Sequence, residues 1–315
     1  MPEFELIERI RRRAGSRDDV VLGIGDDAAV LRVPAGQLLA VATDTLNAGV
    51  HFPDGTAPAD IGWKALAVNL SDLAAMGATP AWCTLSLSMP RDDADWVDAF
   101  LDGFMELAAL HGVALVGGDT TRGPLSVCAT VHGFVGEGAA LRRAGARAGD
   151  DVWVSGTLGD AAAALSLGDA SPPALRARLD RPAPRIPLGR ALVGIATAGI
   201  DISDGLLADL GHACVASGVG ARVELDMLPA SAMLRDTCEA AARRMLQATG
   251  GDDYELCFTA APDRRAAVTE AARNAGVPVT RIGRIVEGAE VQALDADDRP
   301  WQPSRRGYAH FDAAG

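Results

Sequence analysis

The aspartates of this chain stand in short segments of glycine, alanine, leucine and threonine rather than on charged surface helices. The segments are Gly23-Ile24-Gly25-Asp26-Asp27, Thr43-Asp44-Thr45, Asn69-Leu70-Ser71-Asp72, Gly117-Gly118-Asp119-Thr120 and Asp201-Ile202-Ser203-Asp204-Gly205. Such neighbours are typical of tight turns and packed interiors. Two carboxylates about 4 Å apart repel each other by ~4 kcal/mol at an effective dielectric near 20. If several converge, divalent cations are needed to hold them together, and the pattern therefore predicts a metal–phosphate site.

The length and the apolar pattern indicate a mixed α and β protein of two domains. At 315 residues the chain exceeds the usual size of one domain. Short apolar runs rich in β-branched residues alternate with helical segments rich in Ala and Leu. The apolar signal lapses over residues 138–149, where Gly, Ala and Arg dominate. We therefore expect one domain at 1–140 and a second at 141–315.

The composition disfavours several classes of protein. No apolar run approaches the ~20 residues that span a bilayer. The first 13 residues read as an amphipathic helix rather than a signal peptide, so we expect a cytoplasmic protein without a membrane partner. A formal charge of −13 disfavours nucleic acid, whose binding rests on Lys and Arg. Five scattered cysteines disfavour a disulfide framework and a zinc site.

Local signals place the elements along the chain. Predicted strands are 38–43, 82–88, 113–116, 126–135, 152–155 and 255–259, and predicted helices are 58–76, 92–111, 160–167, 188–197, 206–217 and 264–274. Residues 168–187 carry five prolines and cannot form one regular helix. We expect that stretch to be an ordered, partly extended excursion within the second domain.

Several acidic segments leave two interpretations open. Gly25-Asp26-Asp27 suits a ligand loop or an ordinary hairpin turn. Thr43-Asp44-Thr45 is predicted to end a strand, and its oxygens suit a hard cation such as Mg²⁺. Asp72 falls inside a predicted helix, on the face of Asn69. It is either a solvent-facing side chain or a metal ligand.

Two further segments join a strand to a turn or helix. Gly117-Gly118-Asp119 follows a predicted strand as a glycine-rich acidic turn, a usual position for a ligand loop. In 201–205, one Asp or Ser203 could cap the next helix, and the surplus acidic residue favours function. Neither a P-loop nor a GxGxxG motif is present.

Taken together, these motifs resemble the thiamine-monophosphate kinase family, in the superfamily of aminoimidazole ribonucleotide synthetase and selenophosphate synthetase. The resemblance runs from residue 23 to residue 311 and is most specific at 65–78, 117–123 and 251–256. It implies an α+β, two-domain PurM-like fold. The N-terminal domain would bind metal and ATP and form a homodimer through its β-sheet. The C-terminal α+β domain would complete the nucleotide and thiamine phosphate site.

The resemblance also implies an activity and its residues. The family transfers the γ-phosphoryl group of ATP to thiamine monophosphate with several Mg²⁺ ions, and K⁺ often helps. Carried over by motif, the metal ligands would be Asp27, Thr43, Asp44, Asp72, Asp119, Asp201 and Asp204. ATP would contact Gly118, Asp119, Arg143 and Ser203, and the acceptor would contact His51, Asp252 and Tyr308.

Two other functions remain open at this point. A synthetase of the same superfamily would release ADP and inorganic phosphate, and a non-catalytic dimer would bind Mg-nucleotide without turnover. The acceptor in the kinase reaction is an ionised phosphate, so no strong general base is required. The motifs contain none, which favours direct in-line transfer without a phospho-enzyme.

Overall fold

The computed structural model describes residues 3–304 and 307–308, and the chain forms two compact units. Unit 1 comprises residues 1–73 and 78–138, and unit 2 comprises 74–77 and 139–315. Both units combine helices with a β-sheet. The predicted architecture, an α+β protein of two domains, is therefore confirmed.

Unit 1 contains a β-hairpin, a four-stranded sheet and three helices among its described residues. In chain order these are α1 (Glu3–Arg13), β1 (Val20–Leu22), β2 (Val30–Leu31), β3 (Gln37–Asn47), α2 (Pro58–Ala75), β4 (Thr79–Met89), α3 (Ala94–His111), β5 (Ala114–Arg122) and β6 (Ser126–Gly136). The sheet order is β3-β6-β4-β5, in which only β4 and β5 run parallel.

The core of unit 1 lies around the central strands. Along β6, Val127, Ala129 and Val131 are buried and alternate with half-buried residues, as a pleated strand requires. Helix α2 is apolar around most of its circumference, and the residues in its middle are buried on all sides. A helix that is buried in this way carries apolar residues on every face. A second cluster, centred on Trp82 and Phe134, packs against the β1–β2 hairpin.

Unit 2 is built on a seven-stranded sheet with helices along it. Its elements are β7 (Asp151–Ser155), α4 (Asp160–Leu167), α5 (Pro173–Asp180), α6 (Ile186–Leu192), β8 (Ala198–Asp201), α7 (Leu206–Ser217), β9 (Gly220–Glu224), α8 (Ala232–Thr237), α9 (Ala240–Thr249), β10 (Leu256–Ala260), α10 (Arg265–Ala275), β11 (Val279–Val286), β12 (Val291–Leu294) and β13 (Pro300–Trp301). The strand order is β13-β12-β9-β11-β7-β10-β8, and only β12 and β9 are parallel.

Most predicted helices are confirmed, and one is wrong. Helices α2, α3, α4, α7 and α10 match their predictions to within two residues. The helix predicted over 188–197 instead spans 186–192. It ends early because Val193 leaves the helical conformation, with ψ at 126°, and Gly194 has a positive φ of 74°. The prediction that 168–187 does not form one regular helix is confirmed. The stretch is nevertheless more helical than expected, since it contains α5.

Two predicted strand ends are also wrong. Thr43-Asp44-Thr45 does not end a strand, because β3 stays paired with β6 as far as Asn47. Gly117-Gly118-Asp119 is not a turn, because β5 continues to Arg122 as the parallel partner of β4. In both cases pairing with a distant strand extends the element beyond its local apolar signal.

The cysteines and helices give two further observations. All five cysteines are free thiols; Cys83, Cys214 and Cys257 are buried and the other two are half-buried. In the described part of the chain, no helix combines the length and apolar character needed to cross a membrane.

Candidate active site

Asn69 on α2 fixes the backbone of Asp44 on β3. The Asn69 side chain is buried, its Oδ1 accepts from the Asp44 N–H at 2.8 Å, and its Nδ2 donates to the Ala65 carbonyl at 2.9 Å. Asp72 lies three residues further along α2 and is half-buried. Because residues three apart share a helix face, α2 presents Asp72 on the side where β3 carries Asp44.

Thr43 differs from its neighbour because its hydroxyl takes part in the sheet. Its Oγ1 donates to the Ala129 carbonyl at 3.1 Å and lies 3.0 Å from the Thr130 hydroxyl. By register Thr43 opposes Thr130, whereas Asp44 opposes Ala129. Successive side chains of a strand point to opposite faces, so Thr43 and Asp44 belong to different faces of the sheet.

A cavity of about 880 Å³ in unit 1 brings two predicted metal ligands together. Asp27 from the β1–β2 loop and Asp119 from β5 both line it, together with Gly118 and Asp26. The Asp26 carboxylate accepts a hydrogen bond from the Asp27 N–H at 2.8 Å. Asp26 therefore helps to shape the loop that carries Asp27.

Gly118 lets β5 approach β4 within the sheet. A Cβ at this position would lie 1.9 Å from the Leu85 carbonyl oxygen, and φ is +154°. Gly118 lies in the same register row as Asp44, whereas Asp119 lies in the next row, with Ser86 and Thr45. Strict alternation assigns Asp44 and Asp119 to opposite faces, which the sequence motifs did not indicate.

His51 lies in the loop after β3 and is held from two sides. Its Nδ1 accepts from the Asn47 N–H at 3.0 Å, and its carbonyl accepts from Lys64 Nζ at 2.9 Å. Lys64 is a buried residue of α2 that sequence reasoning overlooked. A lysine within an apolar helix was the available signal.

In unit 2, Asp209 organises the segment that carries Ser203 and Asp204. Its Oδ2 accepts hydrogen bonds from the N–H groups of Ser203, Asp204 and Gly205, each at 3.0 Å. Of the interpretations left open for this segment, the side-chain helix cap is not the one observed. Gly205 is the N-cap residue of α7 without a side-chain cap, and Asp209, from the first turn, takes up the amides instead.

The same region concentrates negative charge. Burial, together with the charges of Asp201 and Asp204, raises the pKa of Asp209 to about 7. Ligand atoms of Asp204, Asp209 and His212 all lie within 4.8 Å of one another. Carboxylate oxygens this close suit a hard divalent cation, so the residues present here fit the predicted magnesium. Sequence reasoning missed Asp209 and His212, although they lie three residues apart on one face of α7.

The predicted acceptor residues of unit 2 lie beside the same segment. The Asp252 N–H donates to the Ser203 carbonyl at 2.9 Å, and the Tyr308 N–H donates to the Asp204 carbonyl at 3.0 Å. The structure thus brings Asp201, Ser203, Asp204, Asp252 and Tyr308 together, although 107 positions separate the first from the last.

Arg143 occupies an exposed turn that Ser217 holds from the end of α7. The Ser217 hydroxyl donates to the Arg143 carbonyl at 3.2 Å and accepts from the N–H groups of Gly145 and Ala146 at 3.1 and 3.2 Å. These contacts fix the backbone of the turn that carries Arg143, and all of them lie within unit 2.

Known proteins match this chain over nearly its whole length. The model of the AIR synthase related protein N-terminal domain matches residues 25–135, and that of the C-terminal domain matches 147–295. Thiamine-monophosphate kinase of Salmonella typhimurium is 48% identical over 321 residues, 98% of each protein.

Two solved structures show the same fold. Thiamine-monophosphate kinase from Stenotrophomonas maltophilia is 54% identical with a TM-score of 0.88, covering 96% of this chain and 98% of that one. AaThiL, complexed with AMPPCP and TMP, is 34% identical with a TM-score of 0.79, covering 98% of this chain and 97% of that one.

The matches to both domain models define the chain as an AIR synthase related protein. Within that class, the identity over almost the full length decides the narrower group. The chain belongs to the thiamine-monophosphate kinase family and is a phosphotransferase.

Proposed function

We propose that this protein transfers the γ-phosphoryl group of ATP to thiamine monophosphate, giving thiamine diphosphate as the last step of its biosynthesis. The observation that carries the proposal is the similarity to AaThiL, which is complexed with AMPPCP and TMP, across 98% of this chain. The acidic segments that the family resemblance assigns to metal and phosphate are all present here.

Magnesium is the cation that the donor set favours. The proposed ligands are Asp27, Thr43, Asp44, Asp72, Asp119, Asp201 and Asp204. The charge cluster that raises the pKa of Asp209 supports a cation in unit 2, and the cavity lined by Asp27 and Asp119 supports one in unit 1. Bound Mg²⁺ would neutralise charge on the phosphates. Activation by K⁺ stays a prediction.

The remaining residues bind and orient the two substrates. Gly118, Asp119, Arg143 and Ser203 are proposed to contact ATP, and His51, Asp252 and Tyr308 to contact the acceptor. The acceptor phosphate is ionised at neutral pH, so alignment rather than deprotonation sets the rate. The Asp252 carboxylate offers a negative charge to the cationic thiazolium ring.

One assay separates this function from its two alternatives. The protein is incubated with MgATP and thiamine monophosphate, and thiamine diphosphate and free phosphate are measured. We expect thiamine diphosphate in amounts equal to ADP, without free phosphate. A synthetase would release phosphate, and a non-catalytic binding protein would yield neither product. Phosphorylated protein trapped with γ-labelled ATP would contradict direct transfer.

We also propose a homodimer formed through the sheet of unit 1. Strand β3 is an 11-residue edge strand, and it exposes Leu38, Leu39 and Val41 at 53, 43 and 56%. A long apolar edge of this kind favours pairing with another chain. Val41→Lys should yield a monomer in sedimentation velocity, whereas Leu110→Lys, an exposed position on α3, should not. An unchanged dimer in the Val41 variant would refute this interface. The cytoplasmic location stays a prediction.

A further inference from the structure

The turn that carries Asp252 has an unusual backbone. Asp252 and Tyr254 both have positive φ angles, of 67° and 49°. Only three residues in the described part of the chain other than glycine share this feature, and two of them lie in this one turn. Such conformations persist only where the surroundings impose them, and they concentrate at functional sites.

Hydrogen bonds tie the turn to the segment before α7. Asp252 N–H donates to the Ser203 carbonyl at 2.9 Å, Tyr254 N–H donates to the Ile202 carbonyl at 2.8 Å, and the Glu255 carbonyl accepts from Ile202 N–H at 2.8 Å. The Tyr254 hydroxyl donates to Asp252 Oδ1 at 3.2 Å. The Asp252 carboxylate is therefore oriented by the residue that precedes Glu255.

Glu255 is the anchor at the end of the turn. Its side chain is fully buried and is held by two arginines. Arg185 binds it with two nitrogens. Its Nε donates to Oε2 at 2.6 Å, and a terminal guanidinium nitrogen donates to Oε1. Arg178 donates to Oε1 at 2.7 Å, and the Ser155 hydroxyl donates to Oε2 at 2.6 Å. Arginine forks of this type fix both the position and the plane of a carboxylate.

The two arginines come from the proline-rich stretch 168–187, for which the proposed function has no use. Arg178 lies on α5 and Arg185 immediately precedes α6. Burial would lower the pKa of Arg178, but the charges of Glu255 and Asp253 raise it above its usual value. A Cβ at Gly156 would lie 2.1 Å from Glu255 Oε1, so the pocket has room for the carboxylate only because residue 156 is glycine.

The segment on the nucleotide side has a different anchor. Ser203, Asp204 and Gly205 are held through their N–H groups by Asp209, which has no hydrogen bond to either arginine among the described residues. Loosening Glu255 should therefore release the turn that carries Asp252 while the 203–205 segment keeps its own support.

We infer that Arg185, assisted by Arg178, is a positioning residue that holds Asp252 in place for the acceptor through Glu255. This inference rests on the proposed function, in which Asp252 contacts thiamine monophosphate. It assigns the proline-rich stretch a specific task, because its fold delivers two guanidinium groups to one buried carboxylate.

The test compares Arg185→Ala and Arg185→Lys with Arg265→Ala in the full-length protein. Arg265 makes the same kind of two-pronged contact, to the buried Asp151 at 2.6 and 2.8 Å. We expect Arg185→Ala to lower kcat/KM for thiamine monophosphate by ~10²-fold, as misplacement by about 1 Å does. Its Kd for MgATP alone should change by less than ~3-fold. Arg185→Lys should fall in between, because lysine keeps the charge but lacks the fork.

Hydrogen exchange supplies a readout that is independent of turnover. In Arg185→Ala the amides of Asp252 and Tyr254 should exchange faster than in the wild-type protein, while the amides of 203–205 should exchange at the wild-type rate. In Arg265→Ala the amides of both segments should exchange at the wild-type rate. Three results would overturn the inference. They are equal losses of ATP and acceptor binding in Arg185→Ala, unchanged exchange at 252–254 in that variant, and the same kinetic loss in Arg265→Ala.

Two outcomes need separate readings. If Arg185→Ala does not fold, Ser155→Ala, which removes one contact to Glu255, should show the same selective pattern to a smaller extent, and equal effects on both substrates would again refute the inference. If the wild-type protein makes no thiamine diphosphate, the proposed function fails, and the exchange comparison still decides whether Arg185 holds the turn.

Discussion

Gly118 offers the most direct test of how the sheet of unit 1 carries its ligands. Alanine at this position would place a Cβ 1.9 Å from the Leu85 carbonyl oxygen, whereas carbon–oxygen contacts between strands are about 3.3 Å or longer. Strands β4 and β5 must therefore separate by roughly 1.4 Å at this point. The backbone conformation at φ +154° adds a further cost of ~1–3 kcal/mol for a residue with a side chain.

The expected loss is large for a change of one methyl group. Overpacking costs ~1–3 kcal/mol, so Gly118→Ala should lower the free energy of unfolding by ~2–6 kcal/mol in all. Strand β5 is an edge strand, so it can move outward and take Asp119 with it. A displacement of about 1 Å should slow thiamine diphosphate formation by ~10²-fold.

Gly117→Ala is the matched control for stability. Its Cβ would lie 3.8 Å from Thr84 Cγ2, an ordinary contact, so the free energy of unfolding should change by less than ~1 kcal/mol. For both variants, urea denaturation measures the free energy of unfolding, and the initial rate of product formation measures the activity. A Gly118→Ala protein with wild-type stability and rate would refute the close approach of β4 and β5.

Substitutions of three other residues should give measurable effects. Asp72→Asn should abolish turnover without lowering the thermal unfolding temperature, because it removes a like charge; normal turnover would exclude Asp72 from the metal site. Asn69→Ala should cost ~1–3 kcal/mol in urea, because the Asp44 N–H loses its buried acceptor; an unchanged midpoint would contradict this. The hydrogen bond from Arg17 lowers the pKa of Asp19 below 3.8, so its stabilisation is complete above that value and lost as pH falls through the lower pKa of the folded state. Asp19→Asn should therefore destabilise by ~1–2 kcal/mol at pH 7 and little at pH 2; equal losses at both would rule out the charge effect.

Local signals were sufficient for the helices and for the presence of most strands. Helix α7 was predicted to the residue, and α3 ends where Gly112 adopts the left-handed conformation that closes a helix. Both depend on neighbours within a few positions. The end of β3 at Asn47 could not be predicted this way, because pairing with Ser126 at the far end of β6 sets it.

The same limit applies to the candidate site. The motifs identified Asp201, Ser203 and Asp204, but Asp209 was missed, because its role appears only when three amides converge on one oxygen. Glu255 receives Arg185 from 70 positions away, and no spacing rule connects the two. The proline-rich stretch could be recognised as irregular, but its target could not.

Asp26, Asp209 and Asp253 show why acidic residues in glycine-rich segments cannot all be taken as metal ligands. Asp26 accepts one backbone N–H, Asp209 accepts three, and both oxygens of Asp253 accept from Gly159. Burial raises the pKa of Asp253 well above its usual value, so its negative charge is costly and the single Gly159 amide offsets only part of that cost. A carboxylate that is committed to backbone amides shapes a loop, whatever its sequence context. The number of amides that it accepts is therefore a better guide to its role than the glycines beside it. On that basis Asp26 and Asp253 are structural, and the Asp209 oxygen that accepts three amides supports the loop that carries Asp204, a proposed metal ligand.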